Sequence, residues 1–163
     1  NNMGQMHQRN VGVMGVGMLD PNIYCEIITD FIHVGEEMLK IILKVSGIDK
    51  TICVSDSLHL GGLPPGQYPL GSTMMTITDD FKVLDQEGWI QGCYFTLFSN
   101  MKKLVDRGLA TLEEAVKMSS YNPAVFLGLD DLIGSIKEGK YADFLVLDLD
   151  NQLVSTYISG ELV

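Results

Sequence analysis

The sequence predicts an α/β fold, and three observations carry that expectation. An apolar run over residues 51–55 ends on Asp56, and a glycine/proline-rich loop follows at once. A buried parallel strand delivers a carboxylate to the C-terminal edge of its sheet in this way. Upstream, strand-like residues 29–34 and helix-period residues 36–45 complete a strand–helix–strand unit of crossover length. Beyond three helical segments, the tail returns to short apolar strands.

Residues 11–19 are apolar and carry Gly12, Gly15 and Gly17, so they read as a loop or a tight packing segment. Asp20-Pro21 is a helix-start signal, with Asp as N-cap and Pro in the first helical position. It predicts a short helix through Ile28. Residues 29–34 follow as a strand. Residues 36–45 place apolar and charged positions at helical period, with Gly47 as the C-cap. Residues 58–72 hold Gly61, Gly62, Pro64, Pro65, Gly66, Pro69 and Gly71, but also Leu63, Tyr68 and Leu70 as anchors. They read as a long ordered loop of the functional kind. Residues 73–78 and 81–84 make a hairpin around Asp79-Asp80, and residues 88–92 return the chain to the core. Helices are expected over 97–106, from the capping box Thr111…Glu114 to about Ser119, and from Asn122-Pro123 to Gly128. Strands are expected over 144–147, 154–158 and 162–163.

The net charge of −10 argues against binding nucleic acid or an anionic membrane, both of which favour basic surfaces. No apolar run is long enough to span a bilayer and no signal peptide is visible, which points to the cytoplasm. Cys25, Cys53 and Cys93 form no CxxC pair, which fits a reducing compartment. Cys25 and Cys53 read as small core residues, while Cys93, beside Gly92, is left open. The chain starts at Asn1 rather than Met, as a fragment or a processed product would.

Asp56 can be a turn or capping residue, or a general base. His33, after an apolar strand, is either a hydrogen-bonded structural residue or a ligand-contacting one. Arg9 is either a solvated arginine or a guanidinium fork for phosphate. His7 and His59 read as surface histidines. No HxH or HExxH pair is present to hold a metal.

The tail reads Asn122-Pro123-Ala124, Gly128-Leu129, Gly134-Ser135-Ile136, Gly139-Lys140, Ala142-Asp143, then an apolar strand to Asp148. It resembles the C-terminal stretch of the amidohydrolase superfamily, in which a metal-dependent (β/α)8 barrel is joined to a small β-sandwich. Within that superfamily, several stretches resemble N-acetylglucosamine-6-phosphate deacetylases. These are Asn1-Asn2-Met3, Arg9, Gly12, Asp30-Phe31-Ile32-His33, Val54-Ser55-Asp56, Gly61 to Tyr68 and Gly88 to Gly92.

The resemblance implies roughly the last two-fifths of such an enzyme, since complete barrels of this type need ~250 residues. Residues 1–133 would be the C-terminal part of the TIM-like barrel, with a hairpin insertion at about 67–88. Residues 134–163 would be strands of the sandwich. The implied reaction is metal-dependent hydrolysis of the N-acetyl group of N-acetylglucosamine 6-phosphate, giving glucosamine 6-phosphate and acetate. Asp56 would be the general base and proton shuttle, and a possible metal contact. Asp30, Phe31, Ile32, His33, Ile90, Gln91 and Gly92 would contact the sugar. Asn1, Asn2 and Arg9 would hold the phosphate, a clamp that can be shared between two subunits and so implies a homodimer. The metal would be zinc, with iron, manganese or cobalt as alternatives. Its Glu and two His ligands would lie upstream of Asn1, so this chain alone is expected to be inactive.

Phe31 replaces a common glycine, Asn2 a small alanine and Cys93 a serine, and Arg9-Asn10-Val11-Gly12 replaces Arg-Glu-Pro-Gly. These departures leave substrate identity open, towards a relative acting on another N-acetylamino-sugar phosphate. A different amidohydrolase reaction such as cyclic-amide opening or deamination, a non-catalytic relative and an incomplete half-barrel are separate alternatives.

Overall fold

The computed structural model of the chain describes residues 3–163, so the expectations for Asn1 and Asn2 lie outside the described residues. Strands β1 (Cys25–Ile28) and β2 (Thr51–Val54) pair in parallel, from Cys25 against Thr51 to Ile28 against Val54. Helix α2 (Glu36–Ser46) makes the crossover. Its apolar stripe buries Leu39 and Ile42. Glu36 and Glu37 in the first turn and Lys44 in the last complement the helix dipole. Gly47, at φ 75°, ends it by donating its N–H to the Leu43 carbonyl.

Ile27 and Cys53 pack into the main core with Leu39, Ile42, Leu104 and Met118. Burial pushes the Cys53 thiol up to about 11, so it acts as an inert core residue. An open groove of about 1490 Å³ runs along β1, lined by Cys25, Glu26 and Ile27 and by Val54 of β2.

Helix α3 (Leu97–Asp106) starts at Thr96, whose side chain accepts from the Ser99 N–H. Helix α4 (Leu112–Val116) carries the expected capping box of Thr111 and Glu114. It runs through a π-helical turn (Lys117–Tyr121) into helix α5 (Asn122–Phe126). The expected break at Asn122-Pro123 is therefore a change of winding. The wider turn absorbs a proline that an α-helix interior would reject. Asn122, buried there, donates to the carbonyls of Ile48 and Thr51, both at 2.7 Å, and ties the turn to the start of β2.

A second small core under Leu60, Met75, Ile77 and Val83 carries an antiparallel sheet. Its strands are β3 (Gly66–Leu70), β4 (Thr73–Ile77) and β5 (Val83–Leu84), in that order. The C-terminal strands β6 (Phe144–Leu147), β7 (Leu153–Ile158) and β8 (Glu161–Leu162) form a further antiparallel sheet. In the tail, a Cβ on Gly134, at φ 82°, would lie 2.6 Å from the Ala124 Cβ. That segment is pinned by packing.

Three local expectations need correction. Residues 12–19 are a helix, α1 (Gly12–Leu19), and not a loop. Its residues are apolar on every side, so no amphipathic period marks it, and the glycines outweigh the pattern. Residues 25–28 are a strand and not the end of a helix. Asp20 accepts from the backbone and side-chain nitrogens of Asn22, so Asp20-Pro21-Asn22 is a turn rather than a helix start. The strand therefore precedes residues 29–34, which form the bend at its C-terminal end. The loop expected over 58–72 also contains β3, which holds Pro69 on the edge of its sheet.

Candidate active site

The C-terminal ends of β1 and β2 bring two short segments together. After β1, Asp30 is 3% exposed, and its Oδ1 accepts from the N–H groups of Ile32 and His33, both at 2.9 Å. These bonds fold the chain back so that the His33 ring faces its own Asp30. Nδ1 lies 2.7 Å from Asp30 Oδ2, and Nε2 lies 2.9 Å from the Gln91 carbonyl. A carbonyl only accepts, so Nε2 carries a proton, and the carboxylate draws a second one to Nδ1.

Burial alone would push Asp30 up. The His33 ring, together with the His33 and Ile32 N–H groups, outweighs burial and brings it down to about 2. The hydrogen bond to Asp30 raises His33 against the opposing effect of its own burial. Asp30 and His33 thus form an ion pair, with both ring nitrogens engaged.

Asp56 follows β2 at φ 51°, a left-handed backbone rare for a residue with a side chain. It is exposed on the groove wall that also includes His33. Among the described residues its carboxylate has no hydrogen-bond partner. Its backbone is held firmly, because the Cys93 N–H donates to the Asp56 carbonyl at 2.8 Å. Gly92 makes this approach possible, since a Cβ there would sit 2.7 Å from the same oxygen.

Phe31 stands at φ 67°, where the commoner glycine would be unstrained. Packing compensates: the Arg107 guanidinium carbon stacks 4.3 Å from the Phe31 ring centroid. Gln91 is fixed by its N–H to Val83, by its side chain to Asp85 at 2.6 Å and by its carbonyl to His33. Ile90 bridges to Leu84 at the edge of β5. The structure therefore joins Asp30, His33, Gln91, Gly92 and Asp56 directly. Arg9 is not brought in. It sits in an exposed turn, its backbone N–H donating to His7, and it is not among the groove-lining residues.

The sequence missed the inner support of this corner. Lys103 Nζ lies 3.0 Å from the Phe95 ring centroid and donates to the Asp30 carbonyl at 3.4 Å. Burial lowers its pKa. Asn100, Lys103 and Arg107 share one face of α3 and its end at spacings of three and four. That polar stripe was the signal available.

Residues 12–163 match the amidohydrolase family, and the chain belongs to it. It is 31% identical over 163 residues to an N-acetylglucosamine-6-phosphate deacetylase of Vibrio furnissii, covering all of this chain and 40% of that relative. It is 27% identical over 162 residues to an N-acetylgalactosamine-6-phosphate deacetylase of Escherichia coli O157:H7, covering 99% of this chain and 42% of that one. A crystal structure of the N-acetylglucosamine-6-phosphate deacetylase of Thermotoga maritima superposes with a TM-score of 0.91 at 33% identity. That match covers 99% of this chain and 44% of the solved one. The fold is accordingly the matching part of a TIM-barrel amidohydrolase. The chain spans about two-fifths of the length of these relatives.

Family membership implies a divalent metal. Among the described residues, no group of three His, Cys, Asp or Glu side chains could hold one. His33 has both nitrogens engaged, and Asp56 offers one carboxylate, fewer donors than the three protein ligands of a typical catalytic zinc site. The residues present do not by themselves fit a metal centre. No helix among them is long and apolar enough to cross a membrane.

Proposed function

We propose that this chain contributes the proton-shuttling carboxylate and one wall of the sugar pocket of an N-acetylglucosamine-6-phosphate deacetylase. The observation that carries the reading is Asp56. It is a free carboxylate at the end of a parallel strand, facing an open groove, on a backbone fixed by Cys93 and Gly92. An amide is a poor electrophile and neutral water a poor nucleophile, so a positioned base is the group the reaction needs. Asp56 takes a proton from the water that attacks the acetamide carbonyl, then gives it to the amine as the C–N bond breaks. The Asp30–His33 pair and the Gln91 backbone hold the pocket wall beside it.

The same reading makes residues 1–133, with the insertion at 67–88, part of the barrel and residues 134–163 part of the small sandwich. It takes zinc as the metal, held mainly by residues outside this chain, and a cytoplasmic homodimer as the working form. Arg9 binds the sugar phosphate with Asn1 and Asn2, and its outward position fits a phosphate clamp shared between subunits. A second reading, an epimeric N-acetylamino-sugar 6-phosphate as substrate, is favoured by one observation: the chain also matches an N-acetylgalactosamine-6-phosphate deacetylase over 162 residues at 27% identity.

The test uses the intact protein with metal, assayed for acetate release from both epimers. Asp56→Asn is expected to lower kcat by about 10²-fold or more. Undiminished turnover would remove Asp56 from its role. Arg9→Ala is expected to raise KM for the phosphorylated sugar, and an unchanged KM would end the phosphate reading.

A further inference from the structure

Cys93 is 1% exposed and touches both halves of the site. Through its backbone it clips the Asp56 segment on both sides. Its N–H donates to the Asp56 carbonyl at 2.8 Å, and its carbonyl accepts from the Leu58 N–H at 3.0 Å. Through its side chain it reaches the other segment, because Sγ donates to Asp30 Oδ2 at 3.4 Å. That oxygen is the one bonded to the His33 ring, whose other nitrogen holds Gln91, two residues before Cys93. The contacts close on themselves: Asp56 to Cys93, Cys93 to Asp30, Asp30 to His33, His33 to Gln91, and back along the chain to Cys93. The thiol's remaining capacity is also used. The sulfur accepts from the Phe95 N–H at 3.3 Å and from Asn100 Nδ2 at 3.5 Å.

We propose that Cys93 is a positioning residue, whose thiol and backbone together fix Asp56 relative to His33 across the pocket. A small core residue would need only to fill space. This thiol donates to a buried carboxylate and accepts twice, so its polar geometry is in use. Alanine there would leave Asp30 Oδ2 with one partner fewer and strip Asn100 Nδ2 of its acceptor. The Asn100 Oδ1 is already without a partner among the described residues. Serine keeps a donor and an acceptor in a smaller volume, whereas valine fills the volume and keeps neither.

The kinetic consequence rests on the deacetylase reading, but the structural one does not, so two measurements are made on the intact protein. In the first, amide hydrogen exchange is followed at Ile32 and Leu58, on opposite sides of the closed circuit, with Leu39 in α2 as internal reference. Cys93→Val is expected to speed exchange at both sites about ten-fold relative to Leu39, and Cys93→Ser to restore most of the protection. In the second, Cys93→Val is expected to lower kcat ten-fold or more with KM changed less than three-fold, since small misplacements of reacting groups cost up to about 10²-fold. Cys93→Ser is expected to remain within a few-fold of the parent. If Cys93→Val leaves exchange at Ile32 and Leu58 unchanged, Cys93 is a packing residue and the proposal is overturned. If the parent releases no acetate but the exchange pattern appears, the deacetylase reading fails and the positioning role stands.

Discussion

Replacing Asp30 with asparagine removes one charge and keeps every hydrogen bond of the carboxylate but one, because an amide nitrogen in place of Oδ2 cannot accept from the Cys93 thiol. The asparagine oxygen still accepts from the Ile32 and His33 N–H groups, and its amide donates to His33 Nδ1. That leaves His33 neutral, with its one proton on Nε2 for Gln91. The parent holds an ion pair instead, and its value follows from Asp30. A carboxyl brought from 3.8 to about 2 reports a net stabilisation of about 2 kcal/mol, an upper bound for the ion pair because the Ile32 and His33 N–H groups share in the shift. Asp30 is only 3% exposed, so solvent screening takes little away.

Because its pKa is depressed, Asp30 contributes above pH 3.8 and loses that contribution as the pH falls towards 2. Because its pKa is raised, His33 contributes fully below 6.5 and loses it as the pH rises through its higher folded value. Both shifts describe one interaction, counted once, and it is complete between about pH 4 and 6.5. Once the pH exceeds the raised folded value, a neutral His33 cannot donate to both the Asp30 carboxylate and the Gln91 carbonyl, whereas the asparagine variant satisfies both ring nitrogens. Urea unfolding of parent and Asp30→Asn at pH 5 and pH 9 measures the difference. The parent is expected to be more stable at pH 5 by at most about 2 kcal/mol, with the gap shrinking at pH 9. A gap of equal size at both pH values would refute the ion pair.

Gly92→Ala would put a methyl group 2.7 Å from the Asp56 carbonyl and is expected to cost about 1–3 kcal/mol, read from the urea midpoint. Its kcat should fall as well, because the displaced atoms belong to the backbone of Asp56. Asn122→Ala would take one donor from each of the carbonyls of Ile48 and Thr51, the first of which keeps the Thr51 N–H, and is expected to cost about 1–3 kcal/mol; circular dichroism melting would show it. Phe31→Gly would relieve the left-handed backbone at φ 67° and also lose the Arg107 stack. The two effects oppose, so its unfolding free energy should stay within about 1 kcal/mol of the parent, while its preference between the epimeric substrates should change.

Much of the candidate site was legible because its residues lie next to strong local signals. The apolar strand before Asp56, the helix period of α2 and the capping box of α4 each follow from short-range chemistry. The same rules failed where one signal has two readings. Asp20-Pro21 opens a turn as readily as a helix, and that choice displaced β1 by four residues. In α1 the apolar residues surround the helix, so no periodicity marks it. Cys93, Asn100 and Lys103 escaped for a different reason. Cys93 and Lys103 both reach Asp30, which is distant in the chain, and no local pattern records those contacts, while Asn100 enters only through Cys93.

The closed circuit around Cys93 also has a consequence for the order of folding. The His33–Gln91 bond spans 58 residues and the Cys93–Asp30 bond spans 63. Each needs a long loop to close before it returns any enthalpy, whereas α2, α3 and the β3–β4 hairpin need only near neighbours. The corner that holds Asp56 should therefore become native late, after the elements that carry it. Substitutions within the circuit should then act mainly on how fast the protein unfolds, with little effect on how fast it folds.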